Sequence, residues 1–208
     1  MKKISQFLVS LCLGFSLLAN AQAQEAPDQL VKRLSTEIID AAKTDKEIQS
    51  GNRQRINDLV ENKVLPYINF ERMTSLAVSK SWRTATPEQQ KQLITEFRTL
   101  LIHTYSGAIT QIRDQKVEFK PFRSSPEDTE VEVKSLVIQT RGEPLQLSYR
   151  LEKSANGWKI FDINVLGAWL VETYKGSFSA EVNKTGIDGL IKTLVEKNKK
   201  LAAASIKK

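Results

Sequence analysis

The sequence holds one histidine and one cysteine, so the usual catalytic side chains are scarce. His103 is the only conventional general base. At helical spacing it shares a polar face with Gln92, Glu96 and Thr99, where a histidine is normally solvated. Asp162 is the other candidate, because an aspartate in an apolar strand can serve as the acid/base group of a cavity-bearing isomerase. Arg150 is placed to face it across a strand pair, which favours a structural ion pair instead. Cys12 lies in an apolar leader, so the rest of the chain has neither disulfides nor thiolate metal sites. No serine-centred elbow, phosphate-cradling glycine loop or histidine/carboxylate metal spacing occurs. Lys184-Thr185-Gly186 reads as a helix end. These residues assign no catalytic group, no metal and no cofactor.

The ends of the chain come next. Lys2 and Lys3, an apolar run over 7–18 and the small-residue site Ala21-Gln22-Ala23 make residues 1–23 a cleaved signal peptide. The apolar run is too short to span a bilayer comfortably. Leu11 before Cys12 argues against a lipid-modified cysteine. Taking 23 residues from 208 leaves 185, one domain's worth. Without Lys2 and Lys3 the formal charge of +7 falls to +5, spread along the chain. That excess helps approach to anionic membranes or acidic partners. It makes a poor nucleic-acid footprint, since no basic cluster is interleaved with stacking aromatics. The domain is expected over 24–196, followed by a basic, poorly ordered tail at 197–208.

Helical periods come first along the domain, over 27–44, 52–65, 69–78 and a long stretch from 86 to about 112. Thr86-Pro87-Glu88-Gln89 has capping-box order at the start of the last of these. After Gln115 the period becomes two. Val117 and Phe119, Val131 and Val133, and Leu145, Leu147, Tyr149 and Leu151 alternate. Leu136 and Ile138 fall on the other parity, which predicts a bulge near Lys134 or Ser135. A three-residue loop at 155–157 pairs Leu151 with Phe161, Tyr149 with Ile163, Leu147 with Val165 and Arg150 with Asp162. Gly157 is then the left-handed residue of the turn. A strand ending at Gly167, a helix through Val171, Tyr174, Phe178 and Val182, a stop at Gly186 and a further helix from Ile187 close the chain.

Aromatic residues on these apolar faces are, one by one, ordinary core residues. Three motifs add something more. They are W-K-I-x-D-x-x-V-x-G from Trp158, L-V-x-x-Y-K-x-x-F from Leu170, and G-I-D-G-L-I from Gly186. A further block over 70–105 is centred on Ser81-Trp82-Arg83-Thr84-Ala85-Thr86-Pro87-Glu88-Gln89-Gln90. Together they resemble the MlaC, or toluene-tolerance, family, the soluble periplasmic components of the bacterial maintenance-of-lipid-asymmetry system. The family usually reads G-x-x-W-R-x-A-x-P-x-Q where this chain has Ser79 in the glycine's place. Where the family favours G-x-S-L-V-x-N-Y-R, this chain has Trp169, Thr173 and Lys175.

The resemblance implies an α+β fold, cystatin-like and nuclear-transport-factor-like, with a curved antiparallel sheet wrapped by helices around an apolar cavity. It implies a pocket lined by Trp82, Phe97, Leu101 and Tyr105 from the helices. Leu147, Tyr149, Phe161, Ile163 and Val165 would line it from the sheet, and Trp169, Tyr174 and Phe178 from the closing segment. The cargo would be glycerophospholipid. A monomeric carrier would move it through the periplasm between an outer-membrane lipoprotein–porin complex and an inner-membrane ABC transporter with an MCE-domain ring. The headgroup can stay in water, so selectivity among headgroups would be loose. A cavity-bearing isomerase or hydratase using Asp162 or His103, and a generic periplasmic lipoprotein chaperone, remain open alternatives.

Overall fold

Side-chain caps set most of the helix starts. In the computed structural model, which describes residues 24–139 and 142–204, Pro27 opens α1 (Pro27–Thr44). Asp45 accepts from the Glu47 and Ile48 amides to start α2 (Lys46–Gln49), a short helix that the sequence reading lacked. Asn52 caps α3 (Arg53–Lys63) by accepting from Arg55 N. Asn69 does the same for α4 (Phe70–Val78) through Arg72 N. Thr86 and Gln89 form the expected capping box at the head of α5 (Pro87–Tyr105). That helix was expected to reach Ile112. Instead Ser106–Gln111 winds as a 3₁₀ segment, beginning at Ser106-Gly107, both weaker helix formers than the leucines before them. The expected signal peptide lies outside the described residues.

Five strands follow, β1 (Lys116–Phe119), β2 (Glu130–Ile138), β3 (Leu145–Ser154), β4 (Gly157–Val165) and β5 (Ala168–Trp169). They form one antiparallel meander in the order β1-β2-β3-β4-β5. β2 pairs regularly with both neighbours, so there is no bulge at Lys134 or Ser135. Ser135 is fully buried, on the same side of the strand as Val131 and Val133. Leu136 and Ile138 simply take the other face.

The bulge is in β4. Leu147 pairs with Val165, Tyr149 with Ile163 and Arg150 with Asp162, as expected, but Leu151 faces Ile160 rather than Phe161. Phe161 is therefore the extra residue, and the turn shortens to Ala155-Asn156 between the paired Ser154 and Gly157. Gly157 has φ 100°, the expected left-handed conformation. The bulge resets parity, so that Trp158 and Ile160 join Ile163 against α1.

α6 (Leu170–Ala204) breaks at Gly186 (φ 75°, ψ −176°), so it is two helices in tandem. Its second half does not stop at residue 196. Asn198 is buried and donates to Glu96 O at 2.9 Å and Glu96 Oε2 at 2.8 Å, while Leu201 packs on the core. The expected loose tail is thus helical through Ala204, because one buried polar residue in it has a partner on α5.

Two main cores result. α4, α5 and α6 pack around Phe97, Leu93, Leu190 and Leu194. α1 packs through Leu30, Val31 and Leu34 onto Val133, Leu151, Trp158 and Ile160 of the sheet. Ile163 touches both. A smaller cluster of Ala42, Ile48 and Ile56 holds α2 and α3 to α1.

Candidate functional site

α5 has an unusually wide apolar arc near its end, where Leu100, Leu101 and Ile102 succeed one another. Leu100 is buried with Phe97 in the α4–α5–α6 core. Leu101, which also belongs to that core, lies with Ile102 and Tyr105 across open space from α3. Val60 and Val64 of α3, with Leu65 after it, form the opposite wall. Phe70 and Met73 of α4, Ile163 of β4 and Leu170 of α6 make the floor, and Ile38 and Ile109 close the sides. The resulting cleft has about 200 Å³, and no charged side chain lines it. Apolar atoms form nearly all of its surface. Tyr105, 39% exposed, stands at the rim, and the Tyr174 hydroxyl lies against it and Thr104.

Of the twelve residues expected to line a pocket, Leu101, Tyr105 and Ile163 do so. The other nine lie elsewhere. Phe97, Tyr174 and Phe178 interlock, with ring centroids 4.9, 5.1 and 5.6 Å apart, and fill the core. Burial and the neighbouring Tyr105 push the Tyr174 phenol up to about 12. Trp82 packs on the edge of the same core. Phe161, turned by the bulge, sits under the Arg72 guanidinium at 3.8 Å. Trp169 lies under Arg150 at 3.8 Å. Tyr149 is in the sheet-side core, its hydroxyl against those of Ser35 and Ser135, and burial raises its pKa. Leu147 and Val165 face each other half-exposed at the far end of the same sheet face as Ile163. The sequence reading missed Ile38, Val60, Val64, Leu65, Ile68, Phe70, Met73, Ile102, Ser106, Ile109 and Leu170. The signal for Ile102 was the wide arc of α5, and that for Val60 and Val64 the Ile56-Val60-Val64 stripe of α3.

The two acid/base candidates are far from forming a pair. Asp162 is buried, and its Oδ1 accepts from Ile163 N (2.9 Å) and Val171 N (3.1 Å). Its Oδ2 lies 3.6 Å from Arg150 Nη1. The carboxylate thus anchors the first turn of α6 to β4, and burial outweighs those partners to push its pKa above 3.8. His103 is half-buried rather than solvated, in a polar groove with Arg53. Burial and the Arg53 charge lower its pKa. No group of three or more His, Cys, Asp or Glu side chains that could hold a metal occurs among the described residues. No helix among them is long and apolar enough to cross a membrane.

Comparison with known proteins bears on what such a cleft holds. Residues 32–196 match the family model described as MlaC protein. The chain belongs to the MlaC family. It is 22% identical over 194 residues, 92% of this chain and 91% of the relative, to the intermembrane phospholipid transport system binding protein MlaC of Haemophilus influenzae. It is 25% identical over 182 residues to the toluene tolerance protein ttg2D of Pseudomonas putida, covering 87% of this chain and 83% of that one. A solved phospholipid-binding protein from Ralstonia solanacearum, in complex with a phospholipid, superposes with a TM-score of 0.81 at 43% identity. The match covers 86% of this chain and 99% of that one.

One position where this MlaC-family chain departs from the resemblance gains a physical meaning. Ser79 ends α4 with φ 59° and ψ −129°, a conformation that glycine adopts freely and a serine adopts under strain.

Proposed function

We propose that this chain is a periplasmic carrier of glycerophospholipid that seats acyl chains in the cleft between α3 and α5. The observation that carries the reading is a charge-free, aliphatic cleft in an MlaC-family chain with a 43%-identical relative in complex with a phospholipid. An enzyme cavity needs convergent acid/base groups, whereas a hydrocarbon chain needs dry aliphatic walls. Asp162 and His103 both lie outside this lining.

Size sets the next requirement. Small-molecule sites commonly span about 300–1,000 Å³, so a cleft of about 200 Å³ holds part of one acyl chain. The rest has an apolar path beyond Ile163 along the half-exposed Leu147 and Val165, two of the lining residues read from the sequence. Widening between α3 and α5 would supply more room. Burial of each methylene contributes about 0.8 kcal/mol, so two acyl chains represent on the order of 20 kcal/mol. A bilayer offers the same stabilisation, and the carrier has only to match it.

The donor and acceptor in this reading are an outer-membrane lipoprotein–porin complex and an inner-membrane ABC transporter with MCE-domain subunits. Net direction belongs to those partners. Mass spectrometry of the purified protein under native conditions is the direct test, with phospholipid expected as a bound adduct. Delipidated protein that extracts nothing from phospholipid vesicles would sink the proposal.

A further inference from the structure

Beside the apolar cleft runs a second, larger groove of about 390 Å³, and the two share a wall at Ser106. Its lining is mixed, with Ile56, Leu201 and Ala204 beside polar groups that include Ser50 and Asn57. Arg53 and His103 face into it, with the hydroxyl residues Ser106 and Thr110, and no carboxylate lines it among the described residues. The two spaces also continue along α3. Ile56 lines the groove and Val60, one turn further on, lines the cleft.

Arg53 differs from five other arginines of the chain. Arg33, Arg55, Arg72, Arg98 and Arg150 each reach a carboxylate. Arg53 makes no such pair among the described residues. One guanidinium nitrogen donates to Ala202 O at 3.3 Å, out of five N–H donors in the group. A part-buried guanidinium without an anion, next to a neutral imidazole and two hydroxyls, suits a phosphodiester. The planar fork can donate to two of its oxygens, and the imidazole to a third polar atom.

We propose that the Arg53–His103 groove seats the phosphate of the lipid whose acyl chain occupies the cleft. The inference rests on the carrier reading and adds a rule of selection to it. A chain leaving the cleft past Ser106 brings its glycerol to the shared wall and its phosphate to Arg53. Whatever alcohol lies beyond the phosphate points to solvent. Discrimination should therefore be strong for the phosphate and weak for its substituent.

The test compares dioctanoylphosphatidylglycerol with dioctanoylglycerol, which share acyl chains and differ in the phosphate headgroup, by calorimetry on the delipidated full chain. The wild type should bind the phospholipid about tenfold more tightly, the worth of one charge-assisted hydrogen bond. Arg53→Gln should bring the two to within about twofold while leaving dioctanoylglycerol unchanged. His103→Ala, on a different element, should reduce the preference by a smaller factor. A preference that survives both substitutions overturns the subsite, as does an equal loss of both lipids in either variant. A wild type that binds both lipids equally fails the subsite alone. One that binds neither fails the carrier reading as well. Inorganic phosphate, followed by NMR at the single imidazole of the chain, separates the two sources of the anion. A silent imidazole supports lipid-borne phosphate. A saturating shift with bound lipid undisturbed assigns the groove to a free anion and overturns the proposal.

Discussion

On one side of α5, Phe97 meets Tyr174 and Phe178 ring against ring. On the adjoining face, Leu101, Ile102 and Tyr105 look across open space at Val60 and Val64. The same helix thus makes a solid wall and a hollow one, and side-chain shape explains the difference. Aromatic rings are long enough to reach across a helix pair and interlock edge to face. Val60 and Val64 are short and stiff at χ1, so their row leaves a gap towards α5 unless the backbones close in. The interlocked rings fill, and a mainly aliphatic lining encloses, with Phe70 and Tyr105 as its aromatic members.

The comparison breaks most visibly at Phe97. Phe97→Ala should cost about 3–5 kcal/mol, as removal of a fully buried ring does, and thermal melts would show it. A loss under about 1 kcal/mol would mean that the solid wall is not solid. Ile102→Glu probes the hollow side. Its carboxylate enters a cleft that water can reach, so the loss should stay near about 1 kcal/mol. Bound phosphorus in the purified variant should nevertheless fall close to zero, because an unpaired charge among acyl chains is costly. Wild-type lipid content in a folded Ile102→Glu protein would move the cargo elsewhere.

Ser79→Gly sharpens the contrast from the other direction. Relief of a strained φ at the end of α4 should raise stability by about 1 kcal/mol without altering lipid content. An unchanged or lower melting point would show that the conformation carries no strain.

The smallest effect concerns Asp162. Its folded pKa is raised above the ordinary 3.8, mainly by burial. The stability linked to that shift is therefore fully present below the ordinary value and is lost as pH rises through the raised one. Asp162→Asn lacks this titration. In urea melts the wild type should lose stability relative to the variant as pH climbs from about 3.8 towards neutrality. The opposite slope would mean that Arg150 and the two amides, rather than burial, dominate.

Much of the fold was legible because short-range chemistry determines it. Pro27, Asn69 and the Thr86–Gln89 box each begin a helix where their side chains demand. The pairing of Leu147, Tyr149 and Arg150 followed from matching apolar rows. The bulge was written in the sequence but misplaced. Apolar residues fall at even positions 158 and 160, then at odd positions 161, 163 and 165, and that change of phase in β4 is the bulge. The expected loose tail failed on Asn198, whose partner Glu96 lies 102 positions away. The site was legible only in part. Three of the twelve expected lining residues reach the cleft, because bulky aromatics suggest a pocket wall although their size lets them close one. Periodicity shows which face of a helix is apolar but not whether the neighbour on that face stands close or apart.

That standing apart has a kinetic consequence. The cleft lies along a seam of side chains, with the exposed Glu61–Arg98 pair (3.7 Å) bridging α3 and α5. Parting these helices breaks weak apolar contacts and a screened ion pair, and leaves every hydrogen bond of the five-stranded ladder in place. Collective helix shifts of that kind fall in the microsecond-to-millisecond range. Under the proposed reading, loading and unloading through the seam would be fast on the scale of global unfolding, with residence time set by the hydrocarbon inside rather than by any latch of backbone.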